Sequence, residues 1–177
     1  MEDIEVPTEH LHEGIQEKAE ESKDRWTLYL AISTALMAVF AALGSLMAGH
    51  HSNEALIEQI KSSDQWSYYQ AKGIKYEITQ SILLNSTDKN SAAMAEISAK
   101  QGKYKTEQQE IKDKAEEAEK VSELHLQKHI TFARSVTSFQ IAIAVSAIAI
   151  LARKKFLWYF GLVLSVIGAV LFAMGLM

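Results

Sequence analysis

A run of 24 residues without a single charge, residues 26–49 (WTLYLAISTALMAVFAALGSLMAG), sets the terms for everything else in this 177-residue chain. A helix rises 1.5 Å per residue, so about 20 apolar residues cross a hydrocarbon layer roughly 30 Å thick. Arg25 flanks the run on one side and His50-His51 on the other. Two more uncharged blocks follow, residues 135–152 and 156–177. The first gains length from residues 131–133 if Arg134 bends its guanidinium back to the interface. The sequence therefore predicts an all-α integral membrane protein with three transmembrane helices, at residues 26–49, 131–152 and 156–177. A long antiparallel helical hairpin, residues 50–130, separates the first two.

The formal charge of −4 is unevenly spread. Residues 1–25 hold nine acids and three bases, residues 50–134 thirteen acids and twelve bases, and Arg153-Lys154-Lys155 is a compact basic turn. No broad basic face exists, so nucleic acid is not an expected partner. The absence of cysteine removes disulfides and thiolate metal sites. The opening MEDIEVPTEH is acidic, and the apolar core begins only at residue 26, which does not fit a cleavable signal peptide.

Residues 1–25 read as an acidic amphipathic lead-in. Pro7, the only proline, is followed by Thr8 as a candidate N-cap. Leu11, Ile15, Ala19, Ser22 and Trp26 then recur at helical spacing. In the hairpin, Trp66, Tyr69, Gly73, Tyr76, Gln80 and Leu83 form one seam. Asn85–Asn90 (NSTDKN) is the turn. The returning helix places Ile97, Tyr104, Ile111, Ala118, His125 and Phe132 at one heptad position, and Gln101, Gln108, Ala115, Ser122 and His129 at the other.

This seam is poor in large aliphatics, and a helix pair with little to bury is marginal alone. Arms from several subunits are therefore expected to bundle into a homo-oligomer. Small residues in the spans (Ala41, Ser45 and Gly49; Ala142 and Ser146; Gly161, Ser165, Gly168 and Gly175) fit close helix approach, between chains or within one.

The candidate chemistry is histidine. A turn near residues 87–88 sets residue i opposite about 175 − i, so His50 is expected to face His125, with His51 beside it and His129 one turn away. His50, His51, His125 and His129, with Glu54 or Glu123, make a candidate divalent-metal or pH-sensing cluster. The bland alternative is interfacial and seam histidines. No ionisable residue lies inside the spans, which argues against a coupled transporter. An oligomeric pore lined by Ser33, Thr34, Ser45 and Ser146 is a further alternative. There is no catalytic motif, no cofactor is expected, and the chain does not read as an enzyme.

The segments VPTEHLHE, AGHHSNEALIEQIKSSDQWSYYQAKGIK and the closing pair of spans resemble an uncharacterised bacterial multi-pass membrane family, a domain of unknown function. SDQWSYYQAKGIK is the most specific of them. The resemblance implies a bacterial cell-membrane protein and transfers no catalytic residue. The partners expected are the lipid bilayer, further copies of the chain, and a protein docked on the helical arm. The basic turn predicts a cytoplasmic N-terminus and an extracytoplasmic hairpin.

Overall fold

The computed structural model describes residues 11, 13–17, 25–86 and 92–177. Three long helices account for nearly all of them: α1 (Arg25–Asn85), α2 (Ala92–Ala152) and α3 (Lys155–Leu176). Among the described residues there is no strand. All three helices are long and apolar enough to cross a membrane. Residues 1–10, which include Pro7, Thr8 and His10, lie outside the described residues, as do His12, residues 18–24 and the core of the expected turn, 87–91. Contacts divide the chain into two units, one holding the chain up to Ser52 with Leu126–Met177, the other Asn53–His125.

The first unit is a three-helix bundle. Its core joins Leu30, Met37 and Ala41 of α1 to Phe139, Ala142, Ile143 and Ala149 of α2. Ile15, from the acidic lead-in, belongs to the same core and is 2% exposed. Trp26 packs against this core too, so the expected stripe meets it at two of its positions, while Leu11 is exposed. Helix α3 closes the bundle through glycine. Gly161, Gly168 and Gly175, spaced seven apart, are its buried residues. They lie against Ala142 and Ser146, Phe139, and Phe132 of α2 respectively. Ser135 Oγ donates to the Gly168 carbonyl at 2.8 Å, a buried bond between the two helices.

Aromatic rings tie all three helices. Phe40 stacks on Phe139 at 5.9 Å and meets the edge of Phe172 at 5.8 Å, and Phe172 meets Phe132 at 5.5 Å. Trp158 Nε1 donates to Ser33 Oγ at 3.2 Å. The ammonium of Lys155 stands 5.9 Å from the Trp26 ring, which sets the basic turn at the same end of the bundle as the start of α1. Two other buried hydroxyls of the bundle are satisfied on their own helix, as an apolar surrounding demands. Thr34 bonds the carbonyls of Leu30 and Ala31, and Ser146 that of Ala142.

The turn between α2 and α3 is a Schellman-type ending. Lys154 N donates to Ala149 O and Arg153 N to Ile150 O, which forces Arg153 to φ 52°.

The second unit is an antiparallel helix pair. Ser122 Oγ donates to the Ala55 carbonyl, while Gln108 Nε2 reaches the Tyr69 carbonyl. As positions rise along α1, their partners descend along α2. The expected seam residues Trp66, Tyr69, Gly73, Tyr76, Gln80 and Leu83 are all half-buried. Along α2, Ile111, Ala115 and Ser122 are buried, and Ile97, Gln101, Tyr104, Gln108, Ala118 and His125 are half-buried. The register differs slightly from expectation. Ala55 meets Ser122 here, and in the first unit Ala48 meets His129, two residues further along α2 than a turn at 87–88 implies.

Candidate functional site

In the first unit, His50 and His51 are neighbours on α1, their rings tilted at 54° with centroids 5.3 Å apart. His50 is exposed, whereas the His51 ring lies flat on Phe132 at 5.7 Å and 10°. His129 holds the Ala48 carbonyl through Nδ1 at 2.9 Å. A carbonyl oxygen only accepts, so Nδ1 carries the proton, in either the neutral or the charged ring. That leaves Nε2 of His129 as the ring's other functional atom. His125 is half-buried on α2 in the second unit, where Glu54 is half-buried and Glu123 exposed. Among the described residues no group of three His, Asp or Glu side chains is placed to hold a metal ion.

The most specific sequence stretch, SDQWSYYQAKGIK, builds the most elaborate polar station of the second unit. Gly73 makes room for it. A Cβ at that position would stand 2.8 Å from Gln108 Nε2, so glycine lets the Gln108 amide reach the Tyr69 carbonyl at 3.5 Å. One residue earlier, Lys72 forms a 2.5 Å ion pair with Glu107 across the seam. Its ammonium sits 5.2 Å from the Tyr68 ring and 5.4 Å from the Tyr104 ring, within cation–π reach of both. The Glu107 hydrogen bond holds the Lys72 ammonium above its ordinary range. The same bond holds the Glu107 carboxyl below its own. Trp66 packs edge-on against Tyr69 at 5.5 Å. Trp66 and Tyr69 are half-buried at the seam and Tyr104 flanks the ion pair across it, whereas Tyr68 is exposed.

Both helices expose charged residues, Lys61, Asp64, Lys75 and Glu77 among them on α1. They differ in the large aliphatics they show to the outside, where α2 within the second unit has Leu124 alone. Helix α2 exposes Glu96, Lys100, Lys103, Lys105, Glu110, Asp113, Lys114, Glu117, Glu119, Lys120 and Glu123, an ordinary solvated face. Helix α1 exposes Leu56, Ile60, Ile74, Ile78 and Ile82, while the seam buries Ala55, Ser62, Ala115 and Ser122. Among the described residues Ile111 is the one large aliphatic fully buried in the seam, whereas these five of α1 lie on the outside. Sequence reading found the seam but missed this second stripe. Its signal was present, because positions 56, 60, 63, 67, 71, 74 and 78 follow helical spacing and carry no charge.

Comparison with curated proteins and with solved structures finds no match. A family model described as domain of unknown function (DUF4337) matches residues 26–177. The match takes in all three apolar helices and the SDQWSYYQAKGIK station, and leaves out VPTEHLHE. With the greater part of its length inside that match, the chain belongs to the DUF4337 family.

Proposed function

We propose that this chain is a structural or interaction protein of the bacterial cell membrane, anchored by three spans and assembled as a homo-oligomer through its helical arm. The observation behind this reading is the apolar outer surface of the arm, where Leu56, Ile60, Ile74, Ile78 and Ile82 are exposed while the seam fully buries Ile111 beside alanine and serine. Burial of apolar surface is the main source of helical stability. A pair that leaves this much aliphatic surface exposed gains further stabilisation from something laid against its outside.

The spans support the same division of labour. Their small residues were one argument for contacts between chains. Gly161, Gly168, Gly175, Ala142 and Ser146 are instead buried against neighbours within one chain. The bundle thereby has what it needs as an anchor, and the arm is left as the element for association. Arg25, Arg153, Lys154 and Lys155 cluster at one end of the bundle. The positive-inside rule makes that end cytoplasmic, with the N-terminus inside and the arm extracytoplasmic.

The test is the mass of the full-length protein extracted directly into lipid nanodiscs. Assemblies of two or more chains are expected. A single chain per particle across the accessible concentration range overturns the reading.

A further inference from the structure

We infer that the outward stripe of α1 is the contact surface for a second copy of this chain, paired parallel and in register. The inference rests on the homo-oligomeric reading and adds the face and the geometry. Leu56, Ile60, Ser63, Ser67, Ala71, Ile74 and Ile78 follow one another by three or four residues, so they share one face of α1. Ser81 and Ile82 continue it. All of these side chains are exposed, and none is ionisable. The charged residues of this part of α1, Glu54, Glu58, Lys61, Asp64, Lys72, Lys75 and Glu77, lie off the stripe or at its edge.

Area supports a protein-sized contact. Leu56, Ile60, Ile74, Ile78 and Ile82 are each 43–62% exposed. Their free surface is on the order of 500 Å² per copy, already within the size of the largest apolar patch on an ordinary monomer. The serines and Ala71 between them extend the contact toward the roughly 800 Å² per partner of a stable interface.

The pattern also selects the occupant. In a parallel two-fold contact every layer meets its own copy, so any charge on the stripe would face a like charge. None is there. Small residues at 63, 67 and 71 sit between aliphatic layers at 56 and 60 and at 74 and 78, which lets the helices approach in the middle and interdigitate at both ends. Helix α1 carries an apolar span as well as the stripe. Copies inserted in the same direction therefore present stripes that run the same way, with equivalent residues at equivalent positions.

The chain has no cysteine, so single cysteines report without background. Ser63→Cys, Ser67→Cys and Ser81→Cys, each alone in the full-length protein in native membranes, are oxidised and run on non-reducing gels. Lys114→Cys on the solvated face of α2 is the control. A disulfide needs Cα atoms within about 7 Å, so only facing positions link. The expected result is a covalent dimer at all three serine positions and background at Lys114. A link at Ser67 alone indicates an antiparallel contact and overturns the register.

No link at any stripe position, with oligomers still present in nanodiscs, overturns this inference and leaves the oligomeric reading standing. Particles of single chains overturn both. Links to a different protein overturn the choice of a second copy. A second measurement guards against misfolding of the cysteine variants. The double variant Ile60→Glu with Ile74→Glu, exposed at both sites, is expected to keep its helix content and lose the assembly. An assembly unchanged by it sinks the proposal.

Discussion

Gly175 of α3 lies so close to the buried ring of Phe132 on α2 that a Cβ in its place would stand 2.8 Å from the ring's Cζ. The relationship repeats at two more levels. At Gly161 an added Cβ would meet Ser146 Oγ at 2.9 Å and the Ala142 carbonyl oxygen at 3.1 Å, and at Gly168 the Phe139 ring at 3.1 Å. Close approach in an apolar surrounding gains dispersion contacts and permits the Ser135–Gly168 hydrogen bond. Three glycines at seven-residue spacing are therefore the docking surface of α3.

Overpacking such a contact costs about 1–3 kcal/mol. Gly161→Ala and Gly175→Ala are expected to destabilise the bundle by that amount. Gly168→Ala should cost less, because its clash is a few tenths of an ångström milder. Gly102→Ala is the opposite control. Nothing lies within 4 Å of its added Cβ, and an exposed helical glycine exchanged for alanine gains about 0.5–1 kcal/mol. Thermal unfolding of the full chain in mild detergent gives the order. Gly175→Ala matching Gly102→Ala would refute the packing account.

These glycines also mark a limit of sequence reading. The uncharged blocks fix three apolar helices because charge in hydrocarbon is costly whatever the packing. Heptad spacing likewise places Ile111, Ala115 and Ser122 in the seam of the second unit. A stripe such as Gly161, Gly168 and Gly175 says only that something approaches closely. The same pattern serves a partner chain or the next helix of its own chain, and here it serves Phe132, Phe139 and Ala142. The histidines show a related ambiguity. Their spacing suits ligands, yet spacing carries no information about the Ala48 carbonyl that occupies His129 or the Phe132 ring beneath His51.

The Lys72–Glu107 pair predicts a plateau of stability against pH. The Glu107 carboxyl is held below its ordinary 4.5, so its contribution is present above that value and is lost as pH falls through the lowered one. The Lys72 ammonium is held above its ordinary 10.5, so its contribution is present below that value and is lost as pH rises through the raised one. Between these limits the ion pair should add a constant increment to the stability of the second unit. Glu107→Gln is expected to lower the thermal midpoint across the plateau and to weaken the acid limb, read by circular dichroism of the full protein. An acid limb identical in wild type and Glu107→Gln would remove this pair from the account.

Ser122 offers a separate reading of the seam. Its hydroxyl is buried and donates to the Ala55 carbonyl at 2.8 Å, with Gln59 Oε1 at 3.4 Å. Ser122→Ala removes one neutral hydrogen bond and should cost about 1 kcal/mol. Ser122→Leu puts a bulky side chain into a gap sized for serine and should cost more, although it raises the apolarity of the seam. Amide exchange near Ala55 and Ser122 separates the two variants. A Leu variant more protected than wild type would mean that the seam is loosely filled rather than matched to small residues.

Arg153 holds a left-handed backbone conformation that glycine adopts without strain. A non-glycine residue there costs about 1–2 kcal/mol, so Arg153→Gly is expected to raise the stability of the α2–α3 turn by about that amount. The substitution also removes one of three bases from a turn whose charge sets topology in the proposed orientation. The two effects separate experimentally. Thermal unfolding in detergent should show the gain in stability. Accessibility of a C-terminal tag in cells should shift only when Lys154 and Lys155 are neutralised as well. Arg153→Gly leaving the midpoint unchanged or lower would mean that the guanidinium makes a stabilising contact outweighing the backbone strain, and the turn would then need a different explanation.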